Sequence, residues 1–289
     1  MATYDNAYEI LTEVRYAIDE YSSALVQATD TYGAYSNASL MKKINGAQRF
    51  LYNFLFTKKP ELFLTSTTLT GVSSVYTLPA DFGVLKEFRD DDGAKVYPIT
   101  VDKLKLDDSD GSDRLYYRKG NTLVLDKDGV TDVYTLWYHT KCREIHSGMS
   151  SAGGVKSLTL DASYAKKIVD YYNGMTIENV TDDWVDTITS YTTGRVATIT
   201  NTGAASKYYG IVSELPEMFH CLIVPKAVIE AKLMPQSKEK PNETELLAFY
   251  DNMRETYRAY AGSQQDTDWE DVFCDFGPSV PYSGGIITD

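Results

Sequence analysis

The residues able to do acid–base, nucleophilic or metal chemistry are few, and their spacing does not suit it. Imidazole is limited to His139, His146 and His220. Cys142 and His146 stand four apart, and His220 and Cys221 are adjacent. Structural zinc takes four ligands in closely spaced pairs, and neither pair has that spacing. Neither pair reads as a Cys–His nucleophile couple. Gly148-Met149-Ser150-Ser151-Ala152 approaches a nucleophile elbow without its final glycine. There is no GxGxxG fingerprint and no Walker A lysine loop. Asp107, Asp108, Asp110, Gly111 and Asp113 invite a calcium loop. Counted from Asp108, however, the sixth position is Asp113 where glycine is needed, and the twelfth is Lys119 where glutamate is needed. A pair of carboxylates could be drawn from 41 acids, but nothing singles one out. The reading is therefore not an enzyme, with no catalytic, cofactor-binding or metal residues assigned.

Composition points elsewhere. The formal net charge is -13, which argues against wrapping nucleic acid, because that needs clustered lysine and arginine. Three cysteines, Cys142, Cys221 and Cys274, are odd in number and far apart, so a disulfide scaffold is not expected. No run of apolar residues is long enough for a transmembrane helix. The N-terminus MATYDNAYEI lacks the apolar core of a secretory signal. The expected place is the cytoplasm or a particle assembled there. The 23 tyrosines are the unusual number. Tyrosine combines large contact area with a polar end, which suits extensive interfaces and solvated sheet faces.

The elements that must position these residues are legible from periodicity. Asn37–Phe56 places Leu40, Ile44, Ala47, Leu51, Phe54 and Leu55 on one helical face, with Lys42, Lys43, Gln48, Arg49 and Asn53 mostly on the other. Asn37 or Ser39 is the expected cap, and Pro60 forbids much continuation. Tyr4–Gln27 reads as an earlier helix, packed with it as a hairpin. Beyond Pro60 the apolar period becomes two. Thr65–Leu78 is strand-like, with a hairpin expected near Gly71–Ser74. Strands are also expected at Gly83–Arg89, Lys95–Ile99 (an edge, from Pro98), Arg114–Arg118, Thr122–Asp126 and Asp132–His139. Together they describe an antiparallel meander.

Ser147–Gly154 reads as a linker or exposed loop. A second β-rich stretch follows, from Val155 to about Ser213, with a short helix expected at Asp161–Asp170. Leu215–Leu233 returns to helix, broken near Val224–Pro225 because proline costs roughly 3 kcal/mol inside a helix. Asn242 and Glu245 form a capping box for a last helix from about Glu243 to Tyr260. The fold class is thus α+β: a helical body of about four helices, an antiparallel meander, an inserted small β-domain and an extended arm. The expected divisions are 1–62, 63–146, 147–213, 214–262 and 263–289. The last segment holds six acids and no lysine or arginine, yet contains Trp269, Phe273 and Phe276. An arm that docks on a neighbour or partner fits it. A disordered tail, or packing back on its own domain, are the other readings.

This order of elements resembles tailed-bacteriophage head–tail connector proteins of the adaptor type, over roughly residues 35–260. Leu40–Phe56 is similar to the family's "asparagine, x, alanine, hydrophobic" helix. In VYTLPADF, Tyr76, Leu78, Pro79, Asp81 and Phe82 match residue by residue. Leu115–Leu125 and Thr131–Tyr138 look like its paired strands, and Glu214-Leu215-Pro216 with Ala227–Leu233 resembles the closing helix. Val169–Ile199 looks like a small β-module of phage structural proteins, inserted where a minimal connector goes straight to its final helix.

The resemblance implies a non-enzymatic ring, commonly of twelve copies, beneath the portal protein. It would link capsid to tail or nozzle proteins and let DNA pass its lumen without specific binding, in a virion assembled in the bacterial cytoplasm. Trp269, Phe273, Phe276, Tyr250, Tyr257 and Tyr260 are the candidate interface residues. A tail or baseplate structural protein and a carbohydrate-binding β-module are the alternatives. In the latter, exposed tyrosines and Trp184 would stack on sugars.

Overall fold

The computed structural model describes residues 6–18, 31–32, 35–71, 73–100, 115–126, 132–162, 165–235, 237 and 239–263. The chain divides into two compact units, one ending at Pro241 and one beginning at Asn242. The architecture is α+β, with four α-helices and small, mostly antiparallel sheets among the described residues. Among the described residues no helix is long and apolar enough to cross a membrane.

In the first unit, α1 (Ala7–Ala17) starts where the Asn6 side chain accepts hydrogen bonds from the amides of Tyr8 and Glu9. Such a cap satisfies donors that a helix N-terminus leaves free. Ile10, Leu11 and Val14 are buried on one face. The helix was expected to run to Gln27. It stops at Ala17, and residues 19–30 lie outside the described ones. A short ribbon of β1 (Thr31–Tyr32) and β2 (Tyr35–Ser36) leads into α2 (Asn37–Lys58).

The cap of α2 is Ser36, whose hydroxyl accepts from Ser39 N at 3.2 Å, not Asn37 or Ser39. Asn37 is otherwise engaged: its carbonyl oxygen accepts from Arg15 Nε and Nη2, at 2.9 and 2.6 Å. Arg15 also donates to Tyr35 O, so a fully buried guanidinium staples α1 to the start of α2. Pro60 ends α2 and opens a 3-10 turn, Pro60–Phe63.

A second 3-10 turn, Glu217–Leu222, precedes α3 (Ile223–Lys232). The expected break is thus present. Pro225 falls in the first turn of α3, where its missing amide has no intrahelical partner to lose. α3 packs against α2 and α1, and α1 also touches the second β region.

Between these helices lie two β regions. The first contains β3 (Leu64–Thr70), β4 (Val75–Thr77), β5 (Phe82–Arg89), β6 (Tyr97–Pro98), β7 (Leu115–Lys119), β8 (Thr122–Leu125) and β9 (Val133–Thr140). Their pairings are not consecutive: one sheet has the order β3-β9-β5, the other β4-β8-β7-β6, and β6 lies parallel to β7 at the edge. The alternation of β9 buries Tyr134, Leu136 and Tyr138. They join Tyr76, Phe88 and Tyr116 in an aromatic core, with Tyr134 centred 5.0 Å from Tyr76 and 4.9 Å from Phe88.

The hairpin expected near Gly71–Ser74 is a corner instead. β3 pairs with β9 and β4 with β8, so the chain changes sheet there. Ser73 and Ser74 take positive φ, and a Cβ on Gly71 would stand 2.5 Å from the Tyr76 ring. The turn signal was real. It marked a change of sheet rather than a return.

The second β region contains β10 (Ser147–Met149), β11 (Ala152–Thr159), β12 (Thr176–Asn179), β13 (Trp184–Thr187), β14 (Ser190–Tyr191), β15 (Val196–Thr202) and β16 (Tyr208–Ile211). They form two sheets, ordered β10-β16-β12-β13 and β11-β15-β14. The expected loop at Ser147–Gly154 is mostly strand. Its small residues serve close approach, since a Cβ on Gly153 would lie 2.3 Å from Ala204 N. Ser150 Oγ donates to Ala204 O and accepts from Lys207 N.

The expected short helix at Asp161–Asp170 is absent among the described residues. Tyrosine hydroxyls hold that segment: Tyr209 accepts from Asp161 N, Tyr172 accepts from Lys166 N, and Tyr191 donates to Lys166 O. Much of the tyrosine surplus is spent this way, because ten tyrosines of the described chain are buried.

In the second unit, α4 (Glu243–Ser263) begins at the expected capping box. Glu245 N donates to Asn242 Oδ1 at 2.8 Å, and Asn242 N donates to Glu245 Oε2 at 3.3 Å. Phe249, Met253, Tyr257 and Ala261 recur every four residues and are buried.

Candidate functional site

The first unit converges on one irregular segment, residues 141–146, which leaves β9 and enters β10. It is extended and has no strand partner, so its backbone groups need side chains. α2 supplies them from successive turns. Asn45 donates to Ile145 O at 3.0 Å and accepts from Ile145 N at 2.8 Å. Gln48 Nε2 donates to Arg143 O at 2.7 Å, and the Tyr52 hydroxyl donates to Thr140 O. Positions 45, 48 and 52 share a face at helical spacing. The sequence reading placed Gln48 on the wet face of α2. It is buried, because the residue it serves arrives from far along the chain.

Arg143 is the centre of this segment. Its buried guanidinium forms a two-toothed ion pair with Glu214 and donates to Tyr171 O and Asn173 O, at 3.1 and 2.6 Å. Burial alone would lower the Arg143 pKa, but the Glu214 carboxylate more than offsets this and holds it above its ordinary value. Around it, burial pushes the Cys142 thiol up to about 11 and the Tyr52 phenol to about 12. Such groups stay protonated at neutral pH. They pack and hydrogen-bond, and are not poised as nucleophiles.

Two clefts flank the segment. One, of about 570 Å3, is walled by Leu78, Pro79, Ala80 and Asp81, with Asn121, Arg143 and Asn173. Asp81 accepts from the Tyr138 hydroxyl at 2.9 Å, and its backbone carbonyl takes Lys141 N. Ile168 and Val169, each 53% exposed, stand at the rim. The other cleft, of about 480 Å3, lies between α2 and residues 144–146, 166 and 172. Arg49 and Lys166 meet there on Glu144, at 3.4 Å and 2.6 Å from its carboxylate, and Lys42 lines the same cleft.

The three histidines have structural partners. His139 Nδ1 donates to Pro60 O, and His220 Nε2 donates to Leu215 O. His146 is buried beside Tyr209. The Tyr209 hydroxyl, which accepts from Asp161 N, lies in hydrogen-bond contact with His146 Nδ1 at 2.9 Å. Burial depresses the His146 pKa to about 4. Cys142 Sγ accepts from Gln48 Nε2. Among the described residues no group of three or more His, Cys, Asp or Glu is placed to hold a metal ion.

Of the six candidate interface residues, three lie on α4: Tyr257 is buried, Tyr260 partly exposed and Tyr250 41% exposed. Trp269, Phe273 and Phe276 lie outside the described residues, as does the acidic loop of Asp107–Asp113. Sequence reasoning missed Arg143, Glu144 and Asn45, which carry no motif and gain meaning only when residues 45, 144 and 171 meet. No model of a known protein family and no curated protein matches this chain.

Proposed function

We propose that the chain is a structural head–tail adaptor: one subunit of a ring beneath a phage portal, joining capsid to tail and letting DNA pass. The observation that carries the reading is the meeting of its two most specific motifs. Leu78-Pro79-Ala80-Asp81 walls the cleft whose floor is Arg143, and Arg143 is locked to Glu214, the first residue of the Glu214-Leu215-Pro216 motif. Two segments far apart in sequence thereby meet beside one buried cation. Such an ion pair suits a scaffold. A net charge of -13 would repel phosphate at short range, which suits a lumen that releases DNA. The test is to mix the full-length protein with the portal from the same genome and image the mixture. Rings seated on the portal support the reading, and free protein beside bare portals rejects it.

One observation favours a carbohydrate-binding reading. Trp137, 38% exposed, lies on the outer face of the β3-β9-β5 sheet with Ser66 and Glu87 opposite it in register. Arg89 and Lys95 hold the Glu87 carboxylate, at 3.0 and 3.6 Å. Glycan binding by the full chain, lost in Trp137→Ala, would establish it, and no binding across a glycan panel would remove it.

A further inference from the structure

The cleft between α2 and residues 144–172 is a positively charged recess on an acidic chain. Its charged lining is Lys42, Arg49 and Lys166 against Glu144 alone. Glu144 is shared by Arg49 and Lys166, and among the described residues Lys42 makes no ion pair. Arg49 remains 58% exposed at the side chain. Between the charges the wall is mixed, with Ala38, Met41, Gly46, Ile145 and Tyr172 beside Asn45 and His146. The volume, about 480 Å3, falls within the range of specific binding clefts. A recess with surplus cations over a partly apolar wall fits a peptide that alternates carboxylates with large apolar side chains.

The chain carries such a peptide. Residues 264–289 hold six acids, no lysine or arginine, and the sequence DTDWEDVFCDF at 266–276. When extended, residues 264–276 could carry this sequence up to roughly 45 Å from the end of α4.

We propose that residues 266–276 of one copy occupy the Lys42–Arg49–Lys166 cleft of a neighbouring copy. The inference rests on the ring reading above and specifies its contact. A closed ring needs two different, complementary patches on each subunit, and an acidic–aromatic segment facing a basic, partly apolar cleft is such a pair. Carboxylates of the segment replace water around Lys42 and compete with Glu144 for Arg49 and Lys166, while Trp269 or Phe273 covers the apolar part of the wall.

The test uses full-length protein prepared with light and heavy nitrogen, mixed, assembled, and treated with a carbodiimide that joins carboxylates to lysine amines. The expected result is mixed-isotope links from Lys42 and Lys166 to Asp266, Asp268, Glu270 or Asp271. Their yield should fall about tenfold in 1 M salt, where the screening length drops to about 3 Å. A similar loss is expected in Lys42→Glu/Arg49→Glu. Because that pair alters the folded unit, a second variant changes only the segment: Asp266→Asn/Glu270→Gln/Asp271→Asn, in which assembly should weaken at least tenfold. Links only between like-labelled peptides, or assembly indifferent to both variants, overturn the proposal. Rings without mixed links leave the ring reading standing, whereas monomers without mixed links overturn both.

Discussion

Arg143 makes the strongest single-residue prediction. Its guanidinium serves Glu214 and two backbone carbonyls, so Arg143→Ala leaves several polar groups without partners in a low-dielectric place. Breaking a buried pair from one side typically costs 3–5 kcal/mol. Glu214 is 36% exposed and can take water, so the loss should be about 3 kcal/mol in denaturant unfolding. Glu214→Gln keeps one acceptor and should cost about half as much.

His146 gives the pH dependence. Its pKa is held near 4 in the folded protein against an ordinary 6.5, so the unfolded chain takes the proton first as pH falls. Stability from this group is therefore full above pH 6.5 and is lost progressively down to pH 4. The full loss is about 3 kcal/mol by the usual conversion. Thermal unfolding followed from pH 7 to 4 should show it, and His146→Gln should flatten that part of the curve. None of this was readable in sequence. His146 looked like half of an ill-spaced Cys–His pair, because its partner Tyr209 lies 63 residues away.

Elements were far more legible than their partners. The 3.6-residue period gave α2 within two residues of its end, and the capping box gave the start of α4, because both depend on neighbours in sequence. The alternation of Asp132–His139 gave β9 for the same reason. The sheets were not legible: β9 finds β3 and β5, about 50–70 residues earlier, and a turn signal cannot say whether the chain returns or changes sheet. Ser147–Gly154 failed for a physical reason, since small residues mark close packing as well as loops. Gly153→Ala should therefore be destabilising although residue 153 is exposed. Its Cβ would collide with the Ala204 backbone, and the loss should exceed about 2 kcal/mol with an intact far-UV spectrum at low temperature. Ser36→Ala, which removes the α2 cap, should cost about 1 kcal/mol by the same unfolding measurement.

At the scale of the whole molecule, the tyrosines need a different account from the one composition invites. Many are internal pins that satisfy backbone groups where strands end, so their number argues for a rigid subunit before it argues for an interface. Rigidity is what a ring subunit needs to hold a fixed angle with its neighbours. In the ring reading, the surfaces proposed for association are the cleft of Lys42, Arg49 and Lys166 and the acidic–aromatic segment after α4.

The central claim is association into a ring on a portal, and native mass spectrometry tests it most directly. The full-length protein would be measured alone and after mixing with the portal of the same genome. The account predicts one closed oligomer of a single copy number, or a monomer that assembles to that number only on the portal. A monomer that keeps its own mass in the presence of the portal would contradict it.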